Sequence, residues 1–139
     1  MKRLYILALI SAFALNAFSQ SDSIFKCNLY NEEYKVYMKI NLYDNNIIAP
    51  RQEIFGELPG FLGQDKDSRV WLITDAKISK GNVAHLSIIN DYGSEDLTAT
   101  LTVDKEGNYI LKQEDGSRIK IVENRKWVKI PTELKLKKR

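Results

Sequence analysis

"EDLTATLTVD", residues 95–104, alternates without a break. Leu97, Ala99, Leu101 and Val103 fall on one face, and Asp96, Thr98, Thr100 and Thr102 on the other. A period of two is that of a strand, and an apolar face backed by a polar one is that of an antiparallel strand with one side in water. "EEYKVYMKINLYD", residues 32–44, repeats the pattern: Tyr34, Val36, Met38, Ile40 and Leu42 oppose Lys35, Lys39 and Asn41.

The interruptions carry turn chemistry. "SKGN" at 79–82, "NDYGS" at 90–94, "DKEGN" at 104–108 and "EDGS" at 114–117 each set Gly beside polar residues between β-rich runs, as hairpin loops require. Strands are predicted at 23–29, 33–43, 69–78, 83–90, 95–103, 109–113, 118–122 and 126–130, with short pieces near 52–55 and 134–137. No stretch reads as a long helix, a repeat or a second domain. The predicted fold is all-β, a small antiparallel up-and-down barrel of about eight strands, with a two-sheet sandwich as the alternative. The layout resembles a lipocalin-like barrel in architecture alone. The Gly-x-Trp signature that lipocalins carry near the first strand is absent, since Trp71 and Trp127 come far later, so no ligand or binding residue transfers.

The opening "MKRLYILALISAFALNAFSQ" has the form of a secretory leader over residues 1–19. Lys2 and Arg3 precede an apolar run, Leu4 to Leu15, shorter than the roughly 20 residues of a membrane-spanning helix, and Ala17-Phe18-Ser19 fits the small-x-small cleavage rule. The expectation is an exported protein, periplasmic or secreted. Cys27 stands too far beyond the leader to be a lipid anchor and, as the single cysteine, forms no internal disulfide. The predicted organisation is one barrel domain over 20–132 and a basic tail over 133–139. Of 21 Lys and Arg residues, seven lie in residues 125–139 against a single acid, Glu133, so the rest of the exported chain is net acidic. Export argues against nucleic acid as a partner. The basic tail suggests at most a weak contact with an anionic surface.

Catalytic and metal signatures are weak. His85 is the only histidine, and Ser87 and Asp75 would complete an imagined triad, but no Gly-x-Ser-x-Gly elbow presents a nucleophile. Cys27 shares a face with Phe25 and Leu29, which suits an inert buried thiol better than a partner for His85. "DKDSR" at 65–69 starts like a calcium loop but places Arg69 at the next ligand position. No phosphate-binding glycine loop is present, and no cofactor or metal is implied.

Binding is the better expectation. Met38, Ile40, Leu42, Leu86, Ile88, Leu97, Leu101 and Leu111 are predicted to line the barrel, filling it or enclosing a small apolar ligand. Tyr37 and Tyr43 form an aromatic strip beside Lys35 and Lys39. "EIFGELPGFLG", residues 53–63, reads as a loop with a turn at Pro59-Gly60, bracketed by Leu58 and Phe61, that lids one barrel end with Phe55 or Phe61 or projects toward a protein partner. The candidate binding residues are therefore Phe55, Leu58, Pro59, Gly60, Phe61, Tyr37 and Tyr43. The expected function is noncatalytic recognition of a protein partner or small apolar ligand at one barrel end. The alternatives are a protease inhibitor acting through the 56–63 loop, a carbohydrate-active hydrolase using paired carboxylates, and a structural envelope protein.

Overall fold

The computed structural model describes residues 23–139, and the leader expected over residues 1–19 lies outside them. In chain order the strands are β1 (Lys26–Asn31), β2 (Val36–Asn41), β3 (Ile47–Ile48), β4 (Glu57–Leu58), β5 (Gly60–Gln64), β6 (Asp67–Lys80), β7 (Val83–Asn90), β8 (Asp96–Val103), β9 (Tyr109–Gly116), β10 (Lys120–Glu123), β11 (Lys126–Lys129) and β12 (Glu133–Lys138). Eight of them close an antiparallel barrel in the order β1-β12-β9-β8-β7-β6-β5-β2, with β1 pairing β2. Apart from the β1–β12 seam, every wall strand neighbours the wall strand next along the chain, so the barrel is up-and-down.

The alternation that predicts strands also fills the barrel. Leu97, Ala99 and Leu101 on β8 and Ala84, Leu86 and Ile88 on β7 join one buried cluster with Val36, Met38 and Ile40 of β2. All eight residues expected to line the interior belong to that cluster, and Trp71, Phe25 and Tyr109 join them. Turns are closed by their own side chains. The Asn90 side-chain oxygen accepts from Ser94 N–H at 2.9 Å and from Glu95 N–H at 3.2 Å. Asn124 and Arg125, both at positive φ (52° and 66°), make the tight two-residue connection of β10 to β11.

Which eight strands make the wall differs from the sequence expectation. The pieces predicted at 118–122 and 126–130 are not staves: they are β10 and β11, a separate hairpin folded across one open end. Ile119, Ile121 and Ile130 sink into the barrel core from it, so it caps the mouth as a lid. Their places in the wall are taken by β5 and β12. The short strand expected near 134–137 is present as β12, so the basic end is no separate tail beyond residue 132. It is the closing stave, with Leu134 and Leu136 buried between β9 and β1.

The 56–63 segment is corrected in the same way. It is not a surface loop, because Gly60–Gln64 is β5, buried along its whole length between β2 and β6. Its glycines admit a neighbouring strand at close range. A Cβ on Gly60 would lie 2.4 Å from the Lys39 carbonyl oxygen, and one on Gly63 2.6 Å from the Tyr37 hydroxyl. The piece expected as strand at 52–55 is a single 3₁₀ turn, Glu53–Phe55. It belongs to a flap, residues 44–59, that carries the β3–β4 pair against the outside of the wall. There Ala49 and Leu58 cover Phe61, Val70 and Leu72 in a second, smaller core.

Candidate functional site at the lidded mouth

The sequence-predicted binding residues do not assemble into one exposed surface. Phe61 is buried under the flap, Leu58 on the flap's inner side, and Pro59 and Gly60 are buried beside them. Tyr37 is half-buried, its ring edge-on to Phe61 with centroids 5.9 Å apart. Phe55 is exposed on the 3₁₀ turn, and Tyr43 is exposed on its own, its hydroxyl accepting the Phe25 N–H at 3.1 Å. Leu58 and Phe61 therefore spend their apolar surface on the contact between flap and wall and have little left to offer a partner.

The imagined catalytic groups fare differently from one another. Asp75, His85 and Ser87 do line one shallow depression on the outer wall, where β6 and β7 pair. His85 is exposed and its Nε2 lies 3.1 Å from Ser79 Oγ; among the described residues, no hydrogen bond joins it to Ser87 or Asp75. Cys27 lies on β1, four strands around the barrel from His85 on β7, so the two do not meet. The Cys27 thiol and the Tyr109 hydroxyl (2.5 Å) both donate to the Ile24 carbonyl. Burial pushes the thiol pKa up, which suits a quiet structural sulfur. Among the described residues, no three His, Cys, Asp or Glu side chains cluster closely enough to hold a metal ion.

One depression lies where the β10–β11 lid meets the wall. It is a groove of about 420 Å³ lined by Arg69, Trp71, Tyr92, Glu95, Lys120 and Trp127 among others. Side-chain bonds to its backbone fix the lid. The Gln64 amide donates to the Val122 carbonyl at 2.8 Å and accepts from the Val122 N–H at 2.7 Å. Gln113 accepts from Ile119 N–H at 2.7 Å and donates to the Pro131 carbonyl at 3.2 Å. The Trp71 indole N–H donates to the Lys120 carbonyl at 3.2 Å, and Lys120 Nζ meets Glu95 at 2.8 Å. These bonds hold the groove walls in place, although the buried Arg118 Nε beside the lid has no partner among the described residues.

Two large side chains in this groove remain open to water, Trp127 at 57% and Tyr92 at 76% of full exposure. The Arg69 guanidinium packs over Trp127, 4.9 Å from the ring centroid, and is itself bonded to Asp67 at 3.1 Å. That stack occupies one face of the indole. Sequence reasoning missed this site. Tyr92 sits in a turn and Trp127 on a short strand 35 residues later, and only the lid's fold brings both to one groove.

Compared with protein-family models, curated proteins and solved structures, the chain matches none.

Proposed function

We propose that this chain is an exported, noncatalytic binding protein that recognises a protein partner at the lidded mouth of the barrel. The observation that carries this reading is the grouping of Trp127, Tyr92 and Arg69 around one groove. Trp, Tyr and Arg are the residue types that dominate binding hot spots. Trp127, on the braced lid and stacked against Arg69, loses little side-chain freedom when a partner covers it, so more of the contact energy survives as affinity. The barrel interior, filled by its own leucines and isoleucines, gives less support to a carrier of apolar ligands. The burial of Leu58 and Phe61 leaves the 56–63 inhibitor version without a projecting loop.

The test is crosslinking in the exported fraction of the expressing cell, comparing the wild type with Trp127→Ala, Tyr92→Ala and Phe55→Ala. A partner captured by the wild type and by Phe55→Ala, but lost by both groove variants, supports the reading. Loss through Phe55→Ala with the groove variants unaffected moves the site to the flap and discards the groove.

A further inference from the structure

A different surface lies on the outer wall around β12. Because Leu134 and Leu136 point inward, Lys135, Lys137 and Arg139 share the outward face. The register extends this face across two more strands. Lys137 stands opposite Tyr30 and Tyr30 opposite Tyr37, while Lys39 stands opposite Asn28, whose carbonyl accepts the Arg139 N–H at 3.0 Å. Lys26 completes the outward row of β1. Lys26, Lys39, Lys135, Lys137 and Arg139 are all exposed. Among the described residues, only Arg139 of the five has a carboxylate within 4.0 Å, that of Asp65, which Tyr30 O–H also engages at 2.6 Å. Glu133, at the far end of β12, faces Lys112 on β9.

We propose that this wall is a docking surface for the anionic headgroups of a lipid membrane. The cations are spread in two dimensions over β2, β1 and β12, strands about 4.8 Å apart on a convex wall. A plane of headgroups meets several such cations at once, whereas a linear polyanion would be better served by a groove. Lysine ammonium groups on flexible stems adapt to headgroups that move, and clusters of this size hold anionic bilayers. Tyr30 and Tyr37, half-buried amid the cations, have the amphipathic character found at membrane–water boundaries. Glu32 and Glu33 border this wall, but outside its five cations the exported chain carries 14 basic and 18 acidic residues, so attraction to an anionic surface acts through this wall.

Co-sedimentation tests this with the protein purified as it accumulates in its cell, using vesicles of phosphatidylcholine alone or mixed with phosphatidylglycerol. The expected result is binding to the mixed vesicles only, weakened by added salt. It should fall about fivefold for each lysine removed in Lys135→Gln and Lys137→Gln. Lys77→Gln with Lys80→Gln, on β6, four strands around the barrel from β12 and two from β2, should leave it unchanged. Equal binding to both vesicle types, or no loss in the β12 variants, overturns the proposal. Retention on soluble polyphosphate without vesicle binding also overturns it, assigning the wall to a free polyanion.

Discussion

Gln64 and Val122 are bonded twice: a side-chain amide on the barrel wall pairs with both the N–H and the C=O of one residue in the lid, at 2.7 and 2.8 Å. The amide stands in for the strand that β10 lacks on its outer edge. Gln64→Leu keeps the bulk but leaves both backbone groups unpaired, which should cost about 1–3 kcal/mol. Amide hydrogen exchange should then quicken across β10 and β11 while β7 and β8 stay protected. An unchanged lid would mean that the burial of Ile119, Ile121 and Ile130 alone holds it.

Glycine substitutions separate close packing from open turns. Gly60→Ala puts a methyl group 2.4 Å from the Lys39 carbonyl and 2.8 Å from the Ile40 side chain. The backbones of β2 and β5 must part, at an expected cost of about 1–3 kcal/mol or more. Gly81, in the β6–β7 turn, has open space around it, so Gly81→Ala should be neutral or add up to about 1 kcal/mol by restricting the unfolded chain. Denaturant midpoints of the two variants should move in opposite directions, or only the first should move.

The closing stave gives the sharpest contrast with a tail. Deleting residues 133–139 should abolish the cooperative unfolding transition and leave an aggregating chain, because β1 and β9 then expose bare edges. Leu136→Ala alone should cost about 2–5 kcal/mol, whereas Lys137→Ala, one residue on and facing water, should stay within about 0.5 kcal/mol. A truncated chain with unaltered thermal melting would contradict the closed barrel.

Asp104 links a turn to pH. Its carboxylate accepts from the N–H groups of Asn108 and Glu106, both at 2.9 Å, and the Asn108 bond is the main cause that holds its pKa below the ordinary 3.8. A pKa depressed on folding contributes stability that is present above the unfolded value and lost as pH falls through the folded one. Asp104→Asn keeps an acceptor but cannot titrate, so its melting temperature should decline less steeply than the wild type's below pH 3.8. Parallel acid limbs in the two proteins would rule this contribution out.

Much of the architecture was legible because inward and outward residues alternate so regularly in β2, β7 and β8. The errors have local causes. Gly60 and Gly63 look like turn residues, but in β5 they are places where a neighbouring backbone or a tyrosine ring occupies the space a side chain would take. Leu134 and Leu136 carry the same alternation as β8, yet the surrounding lysines read as a solvated end. Ile119 and Ile121 bracket Lys120 just as wall residues would, and nothing local distinguishes a lid from a stave. The groove at the mouth was illegible for a different reason. It exists only because Trp127, Tyr92 and Arg69, from three separate elements, meet once the lid has folded.

The β1–β12 seam sets an order of events in folding. Each other wall contact joins strands that follow one another as wall staves, so a curved ribbon can form by adding hairpins successively. The seam pairs Leu29 with Lys138 and Tyr30 with Lys137, and so must close a loop spanning nearly the whole described chain. Loop-closure entropy grows only slowly with length, so this costs little final stability, but non-local pairing is what slows a β-protein. The topology favours a ribbon first and a cylinder second, with pairing of β1 to β12 as the expected slow step. Refolding kinetics check this, since Tyr30→Ala should then slow refolding more than a matched change on β7.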